Sequence, residues 1–382
     1  MSVDQLAKRV ISTLVFSVAM TIVMYLVNEL VAWLDPSQAA EGGGALGALG
    51  AWVRPGGGGL RLTSHEATIR ASLVRPEQVA TRLDDVGGLG TIKDDLLMHV
   101  VLPLRKHHVF FKPGNRALAP CRGVLLVGKP GTGKTMLARA IAREAGVNFL
   151  ALTLSSLQNK YFGESSKLLA ACFSLARKLQ PTILMFDEID GMLRERSEQD
   201  QGVDYSFKTE FLTHMDGMRS SPTDAVVVIG CTNNSKVLDP ALRRRLPKVY
   251  EVPLPDARGR LEILNLACRD EPLHEVLRPD VHGWLADATD GFSGSDLHDV
   301  YTFASAERLR GARAAVERAE SAEALQASLP PIGDAEWRAG VARVLASRGS
   351  HSNHCMDGGG DEPAARALAR LLGRAAAAEQ EG

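Results

Sequence analysis

The chain of 382 residues is 45% hydrophobic and 23% charged, which is too polar for a polytopic membrane protein and too apolar for a disordered chain. Its 44 lysines and arginines balance its 45 aspartates and glutamates, and a net charge of −1 gives no indication that it binds nucleic acid. Five scattered cysteines without a CxxC pair exclude a disulfide scaffold and a zinc-finger pattern.

The first predicted element is a membrane span. Residues 10–27 form an apolar run without a charge, and at about 1.5 Å per residue a helix of this length would cross about 27 Å of a hydrocarbon core. We therefore predict an N-terminal tail over residues 1–9 and one transmembrane helix over residues 10–34, with Trp33 at the membrane interface. A cleaved signal peptide and a buried helix of a soluble domain are the alternatives.

Glycine dominates the segment that follows the predicted span. Nine of the nineteen residues from Glu41 to Gly59 are glycine, and such a composition is typical of flexible chain. We predict a glycine-rich linker over residues 35–78.

A phosphate-binding loop comes next. The apolar run from Gly123 to Val127 predicts a buried strand, and a complete GxxxxGK[ST] motif follows it, ahead of a helix predicted over Met136 to Ala145. Backbone N–H groups of such a loop close around phosphate oxygens, while Lys134 would neutralise the β- and γ-phosphates and Thr135 would offer its hydroxyl to Mg²⁺. We predict that ATP and Mg²⁺ bind here. The predicted nucleotide contacts of this loop are Gly128, Pro130, Gly131, Thr132, Gly133, Lys134, Thr135 and Met136.

A second buried strand, predicted from Thr182 to Phe186, ends in two acidic residues. At its carboxyl end Asp187 would bind Mg²⁺, and Glu188 would polarise the attacking water. Such a pair alone is usually only a strand end, but its place 53 residues after Lys134 favours the catalytic interpretation.

Two further segments carry candidate catalytic groups. A third predicted strand, Ala225 to Gly230, leads to Asn233, whose amide would contact the γ-phosphate or orient the water; a simple turn is the alternative. The arginine run at residues 243–245 is either a solvated face or a set of fingers. Such fingers reach the γ-phosphate of a neighbouring subunit and stabilise the charge of the transition state.

These motifs together resemble the AAA ATPases, in the branch that contains katanin, spastin and the membrane-anchored Thorase-like outer mitochondrial membrane extractors. The resemblance covers about Leu83 to Val344. It includes the DDVGGL segment at residues 84–89, the GCTN segment at residues 230–233 and the TDGFSGSDL segment at residues 289–297. One departure is Lys129, which stands where the family usually has proline.

The resemblance implies further site residues and a fold. Asn233 would be the first sensor, and Arg244 and Arg245 would be the fingers. Asp85, Gly87, Gly294 and Ser295 would contact the nucleotide. The fold class is expected to be α/β, an AAA+ P-loop NTPase domain with a parallel sheet over residues 79–254. A helical lid is expected over residues 255–347. A C-terminal tail with one possible helix is expected over residues 348–382.

A short aromatic segment resembles the loop that grips polypeptide in the pore of these enzymes. It consists of Lys160, Tyr161, Phe162 and Gly163, with tyrosine where the branch usually has tryptophan. An aromatic pair between polar residues makes poor core and a good surface for holding an extended chain. A packed Tyr-Phe pair is the alternative.

The resemblance implies an ATP-driven dislocase. It would assemble as a homohexamer and thread mislocalised tail-anchored proteins out of the outer mitochondrial membrane, or alternatively the peroxisomal membrane. The expected topology is single-pass with the AAA domain facing the cytosol, although Lys8 and Arg9 favour the opposite orientation. Severing of microtubules, disassembly of ESCRT filaments and a nucleotide-dependent membrane-tethered scaffold are the alternatives.

Overall fold

The computed structural model describes residues 61–114, 120–153, 157, 165–189, 203–233, 240–269, 279–319, 321, 325 and 328–352. The predicted transmembrane helix, the glycine-rich segment up to residue 60 and the predicted pore loop lie outside these residues. Within the described ranges, no helix combines the length and the hydropathy that a membrane span requires.

The strands that the structure describes form one six-stranded sheet in the order β1-β3-β4-β5-β2-β6. They are β1 (Leu73–Val74), β2 (Gly123–Val127), β3 (Asn148–Thr153), β4 (Thr182–Asp187), β5 (Val226–Thr232) and β6 (Lys248–Glu251). All neighbours pair in parallel except β1, which is antiparallel to β3. The parallel α/β fold is therefore confirmed.

Helices cover the sheet and position its carboxyl edge. The described helices of this domain are α1 (Ser64–Arg70), α2 (Gly90–Leu96), α3 (Leu102–Arg105), α4 (His107–Phe110), α5 (Lys134–Ala145), α6 (Ser165–Lys178), α7 (Val203–Ser220) and α8 (Pro240–Arg245), with a π-helical turn (Leu97–Val101) between α2 and α3. Strands β2 and β5 are buried along their whole length, as expected for parallel strands covered on both faces. Polar groups that follow them are consequently held at the edge of a rigid sheet.

The linker prediction was wrong for residues 64–78. The carboxylate of Glu66 in α1 is buried and accepts hydrogen bonds from Ser174 Oγ at 2.7 Å and Lys178 Nζ at 2.6 Å, both on α6. Strand β1 pairs Leu73 with Leu150. A two-residue strand and a seven-residue helix carry too little pattern for recognition from sequence, because contacts with the rest of the domain stabilise them.

A second, helical layer follows the sheet domain. Its described helices are α9 (Ala257–Ala267), α10 (Pro279–Ala288), α11 (Gly294–Gly311), α12 (Arg313–Arg318) and α13 (Asp334–Ser352). The side chain of Asp256 caps α9 by accepting the N–H of Gly259 at 2.7 Å, which starts this layer close to the predicted residue 255. Trp337 of α13 is fully buried in the hydrophobic core of this helical layer. Helix α13 continues past residue 347, where the lid was predicted to end.

Candidate nucleotide-binding site

The phosphate loop joins β2 to α5 through two residues in the left-handed backbone region. Gly131 has a φ of 75° and Gly133 a φ of 90°, conformations that favour glycine over residues with a Cβ. Pro130 precedes these two glycines and Thr132 lies between them, and the exposed Met136 lies in the first turn of α5. The loop thus leaves backbone N–H groups at a helix N-terminus, where an anion is stabilised.

Lys134 lies at the centre of this loop and is only 7% exposed. Its Nζ donates to the carbonyl oxygens of Gly128 at 2.8 Å and Lys129 at 2.9 Å, and to Oδ1 of Asn233 at 2.9 Å. The ammonium is therefore positioned by oxygen acceptors that phosphate oxygens can replace. Lys129 contributes only its backbone carbonyl to these bonds, which any residue would supply, so they do not explain a lysine there.

Hydroxyl and carboxylate oxygens come together beside the loop. Thr135 Oγ1 donates to Asp187 Oδ2 at 2.7 Å, although the two residues lie on α5 and at the end of β4. The second carboxylate oxygen, Asp187 Oδ1, accepts the N–H of Glu188 at 2.9 Å. Hard oxygen donors of this kind fit Mg²⁺, which binds through one or two protein groups together with phosphate oxygens and water.

Glu188 has an unusual backbone. Its φ of 53° lies in the left-handed region, which is uncommon for a residue other than glycine, and its side chain is exposed. Strain of this kind persists where the surrounding structure imposes it, and it clusters at functional sites. The exposed carboxylate directly follows the residue that contacts Thr135.

The end of β5 brings Asn233 to the same place. Burial raises the pKa of the neighbouring Cys231 thiol strongly, and the nearby Asp187 raises it further, so this side chain is a neutral packing group. Asn233 follows the last residue of the buried strand and reaches Lys134, 99 residues away in sequence. The contact joins two residues that sequence analysis assigned separately.

The helical layer contacts the phosphate loop directly. The N–H of Ser295 donates to the carbonyl oxygen of Gly131 at 3.2 Å. A Cβ at Gly131 would lie 2.6 Å from Ser295 Oγ and 2.7 Å from Ser293 Oγ, so a side chain there would displace both hydroxyls as well as strain the backbone. The structure therefore brings Gly294 and Ser295 beside the loop.

The segment at residues 84–89 is bonded to α9 and to the turn that follows it. Asp85 Oδ1 accepts from Arg269 at 2.6 Å, and the N–H of Gly88 donates to Glu262 at 2.9 Å. The hydrogen bond from the backbone N–H of Arg82, together with Arg269, lowers the pKa of the Asp85 carboxyl. A Cβ at Gly87 would lie 2.6 Å from Ile263, which explains a glycine there. Glu262 on α9 and Arg269 in the turn after it were not predicted, because no local pattern distinguishes them from other charged surface residues.

The two predicted finger arginines differ in environment. Arg244 is exposed on α8, whereas Arg245 forms a bidentate ion pair with Asp216 of α7, at 3.0 Å from Nε to Oδ1 and 2.6 Å from Nη2 to Oδ2. The Arg245 side chain also donates to the carbonyl oxygen of Ala241 at 3.1 Å. Asp216 therefore fixes the direction of Arg245 within its own chain, and nothing in the local sequence singled it out.

Comparisons with known proteins agree with this geometry. The family model for ATPases associated with various cellular activities (AAA) matches residues 124–254. A Caenorhabditis elegans protein named mitochondrial sorting homolog is 40% identical over 251 residues, which cover 66% of this chain and 71% of the relative. A Danio rerio protein named outer mitochondrial transmembrane helix translocase is 38% identical over 286 residues, covering 75% of this chain and 74% of the relative. The human protein of that name is 41% identical over 244 residues, covering 63% and 65%.

Solved structures share the fold. The FIGL-1 AAA domain in complex with ADP has a TM-score of 0.60 and 30% identity, and it is matched over 75% of this chain and 92% of its own. A katanin chain from a study of its self-assembly has a TM-score of 0.58 and 29% identity, with 74% and 92% coverage. A domain with the fold of this chain, at 30% identity, therefore binds a nucleotide.

Proposed function

The chain belongs to the AAA ATPases, in the family of the outer mitochondrial transmembrane helix translocases, and we propose that it uses ATP hydrolysis to extract membrane proteins from the outer mitochondrial membrane. The observation that carries the proposal is the convergence of Lys134, Asn233, Thr135 and Asp187 at one edge of the sheet, in a chain 38% identical to a translocase over 286 residues. We propose Mg²⁺ as the metal of this site.

Each residue of the site has a distinct proposed task. Lys134 would exchange its carbonyl partners for phosphate oxygens, and Thr135 with Asp187 would hold Mg²⁺, which neutralises charge on the β- and γ-phosphates when it is bound. Glu188 would take a proton from the attacking water, and Asn233 would orient that water or the γ-phosphate. Ser295 would close the lid over the phosphate loop.

Assembly and topology form a second part of the proposal. We propose a homohexamer in which Arg244 and Arg245 of one subunit approach the nucleotide of the next, and the arginine-rich end of α8 supports this role. We further propose a single-pass anchor over residues 10–34 with the catalytic domain facing the cytosol, in the outer mitochondrial membrane or alternatively the peroxisomal membrane. The substrates would be tail-anchored proteins.

Reconstitution tests the proposed function directly. We expect the purified full chain, inserted in liposomes, to release a tail-anchored protein in an ATP-dependent manner that ADP does not support. Release that is independent of ATP hydrolysis, or hydrolysis without release, would favour the membrane-tethered scaffold.

The predicted pore loop supplies a sharper test. Replacing Tyr161 with alanine is expected to abolish extraction from liposomes, while ATPase activity stays within about threefold of normal, because the ring is assigned to the polypeptide and not to phosphate. Tyr161→Trp is the matched variant and should retain extraction, since an aromatic surface grips a chain without reading its sequence. Extraction and hydrolysis are measured on one preparation. If Tyr161→Ala loses ATPase activity and assembly together, the tyrosine is a packing residue instead.

A further inference from the structure

Arg348 lies near the end of α13, in the segment predicted as a C-terminal tail without an assigned role. Its Nη1 lies 3.4 Å from the carbonyl oxygen of Gly291 and 3.9 Å from Asp296 Oδ2, and its guanidinium carbon lies 5.0 Å from the centre of the Phe292 ring. One side chain thus makes a hydrogen bond, an ion pair and a cation–π contact, all with residues 291–296, which comprise the turn before α11 and the first three residues of that helix and are called here the loop at residues 291–296.

Hydrogen bonds within the same loop also hold its shape. Asp296 Oδ2 accepts the N–H and the hydroxyl of Ser293, both at 2.8 Å, in a capping box at the start of α11. Phe292 is buried, and Gly291 has a φ of 72°. The carboxylate that shapes the loop is therefore also the ion-pair partner of Arg348.

The loop at residues 291–296 also contacts the phosphate loop. The N–H of Ser295 donates to the Gly131 carbonyl oxygen, and Gly131 has no room for a side chain at this contact. A continuous set of contacts consequently runs from the end of α13 through the loop to the phosphate loop.

We propose that Arg348 is a positioning residue for nucleotide binding, which holds the loop at residues 291–296 against the phosphate loop. The end of the C-terminal helix thereby sets the affinity for nucleotide, and by reciprocity bound nucleotide stabilises the docking of that helix end. The inference deepens the nucleotide-binding part of the proposed function and does not depend on translocation.

Arg338 provides a matched control on the same helix. It forms an ion pair with Asp334 at 2.6 Å, and its guanidinium carbon lies 4.4 Å from the centre of the Trp284 ring, in α10. Its side chain is 32% exposed, close to the 29% of Arg348. Replacing either arginine removes an ion pair and a cation–π contact from the lid, but only Arg348 contacts the loop at residues 291–296.

The test compares Arg348→Gln with Arg338→Gln in the full chain. We measure the Kd of a fluorescent ADP analogue and the KM and kcat for ATP. Arg348→Gln is expected to raise Kd and KM about fivefold to tenfold, the effect of one hydrogen bond and one cation–π contact, with kcat within about twofold. Arg338→Gln should leave Kd within about twofold of the unaltered chain.

Arg348→Lys guards against a folding defect, because it keeps the charge beside Asp296 but loses the planar fork. Its Kd should fall between that of the unaltered chain and that of Arg348→Gln. Equal changes of Kd in Arg348→Gln and Arg338→Gln, a change in kcat alone, or no change in Kd would overturn the inference. Failure of the unaltered chain to bind the analogue would instead contradict the proposed function.

Discussion

Replacing Glu188 with glutamine is expected to lower the ATP turnover number about 10²-fold or more while ATP binding persists. Glutamine keeps the shape of the side chain and removes the carboxylate that would accept a proton from water. The bonds of Lys134 and the Thr135–Asp187 contact do not involve the Glu188 side chain, so the phosphate site should remain formed. Because nucleotide would then stay bound without hydrolysis, assembled oligomers should become more stable.

Steady-state ATPase assays and nucleotide titration on the same protein check this expectation. Glu251→Gln is the matched control, because Glu251 is an exposed glutamate at the end of β6, at the same edge of the sheet. Lys134→Ala should show the complementary defect and weaken nucleotide binding itself. Turnover near normal in Glu188→Gln would remove this residue from the proposed catalytic role.

Replacing Arg244 or Arg245 with alanine is expected to lower turnover about 10³-fold, and mixing with Glu188→Gln chains should restore part of the activity. The two kinds of mutant chain damage opposite sides of a shared site. In an equal mixture about a quarter of the interfaces would combine an intact Glu188 with intact arginines from the neighbour. The measurement is ATPase activity across mixing ratios, with each variant alone as the control.

The environments of the two arginines refine this expectation. Arg244 is exposed, and Arg245 forms an ion pair with Asp216 of its own chain that it would have to leave to reach across an interface. If Arg245 acts only within its own chain, Arg244→Ala will recover on mixing and Arg245→Ala will not. Absence of recovery for both would show that neither acts on a neighbouring subunit.

The phosphate site was predictable because its signals are local. The strand predicted over Gly123 to Val127 agrees with β2, and the strand predicted over Thr182 to Phe186 ends one residue before β4 does. Apolar runs of this length, followed by glycines or acids, report burial and the start of a loop within a few residues. Nucleotide binding follows from that conjunction, whereas the AAA fold was expected from the resemblance of the motifs to a known family.

The remaining features depend on contacts between distant residues. The pairing of β1 with β3 joins Leu73 to Leu150, and the Asp216–Arg245 ion pair spans 29 residues. Neither the strand pairing nor the ion pair produces a periodic pattern in the sequence, because each depends on tertiary packing. The left-handed backbone of Glu188 is equally hidden, since the sequence shows a common residue in an uncommon conformation.

The attachment of α1 to α6 has a mechanical consequence for a motor that pulls. Every pull on a substrate is matched by an equal and opposite reaction on the chain that tethers the motor. Helix α6 starts just after the predicted pore loop in sequence, and its Ser174 and Lys178 bond the buried Glu66 of α1. Action and reaction would therefore meet within one helix about 21 Å long, which joins the predicted gripping loop to the segment that follows the tether.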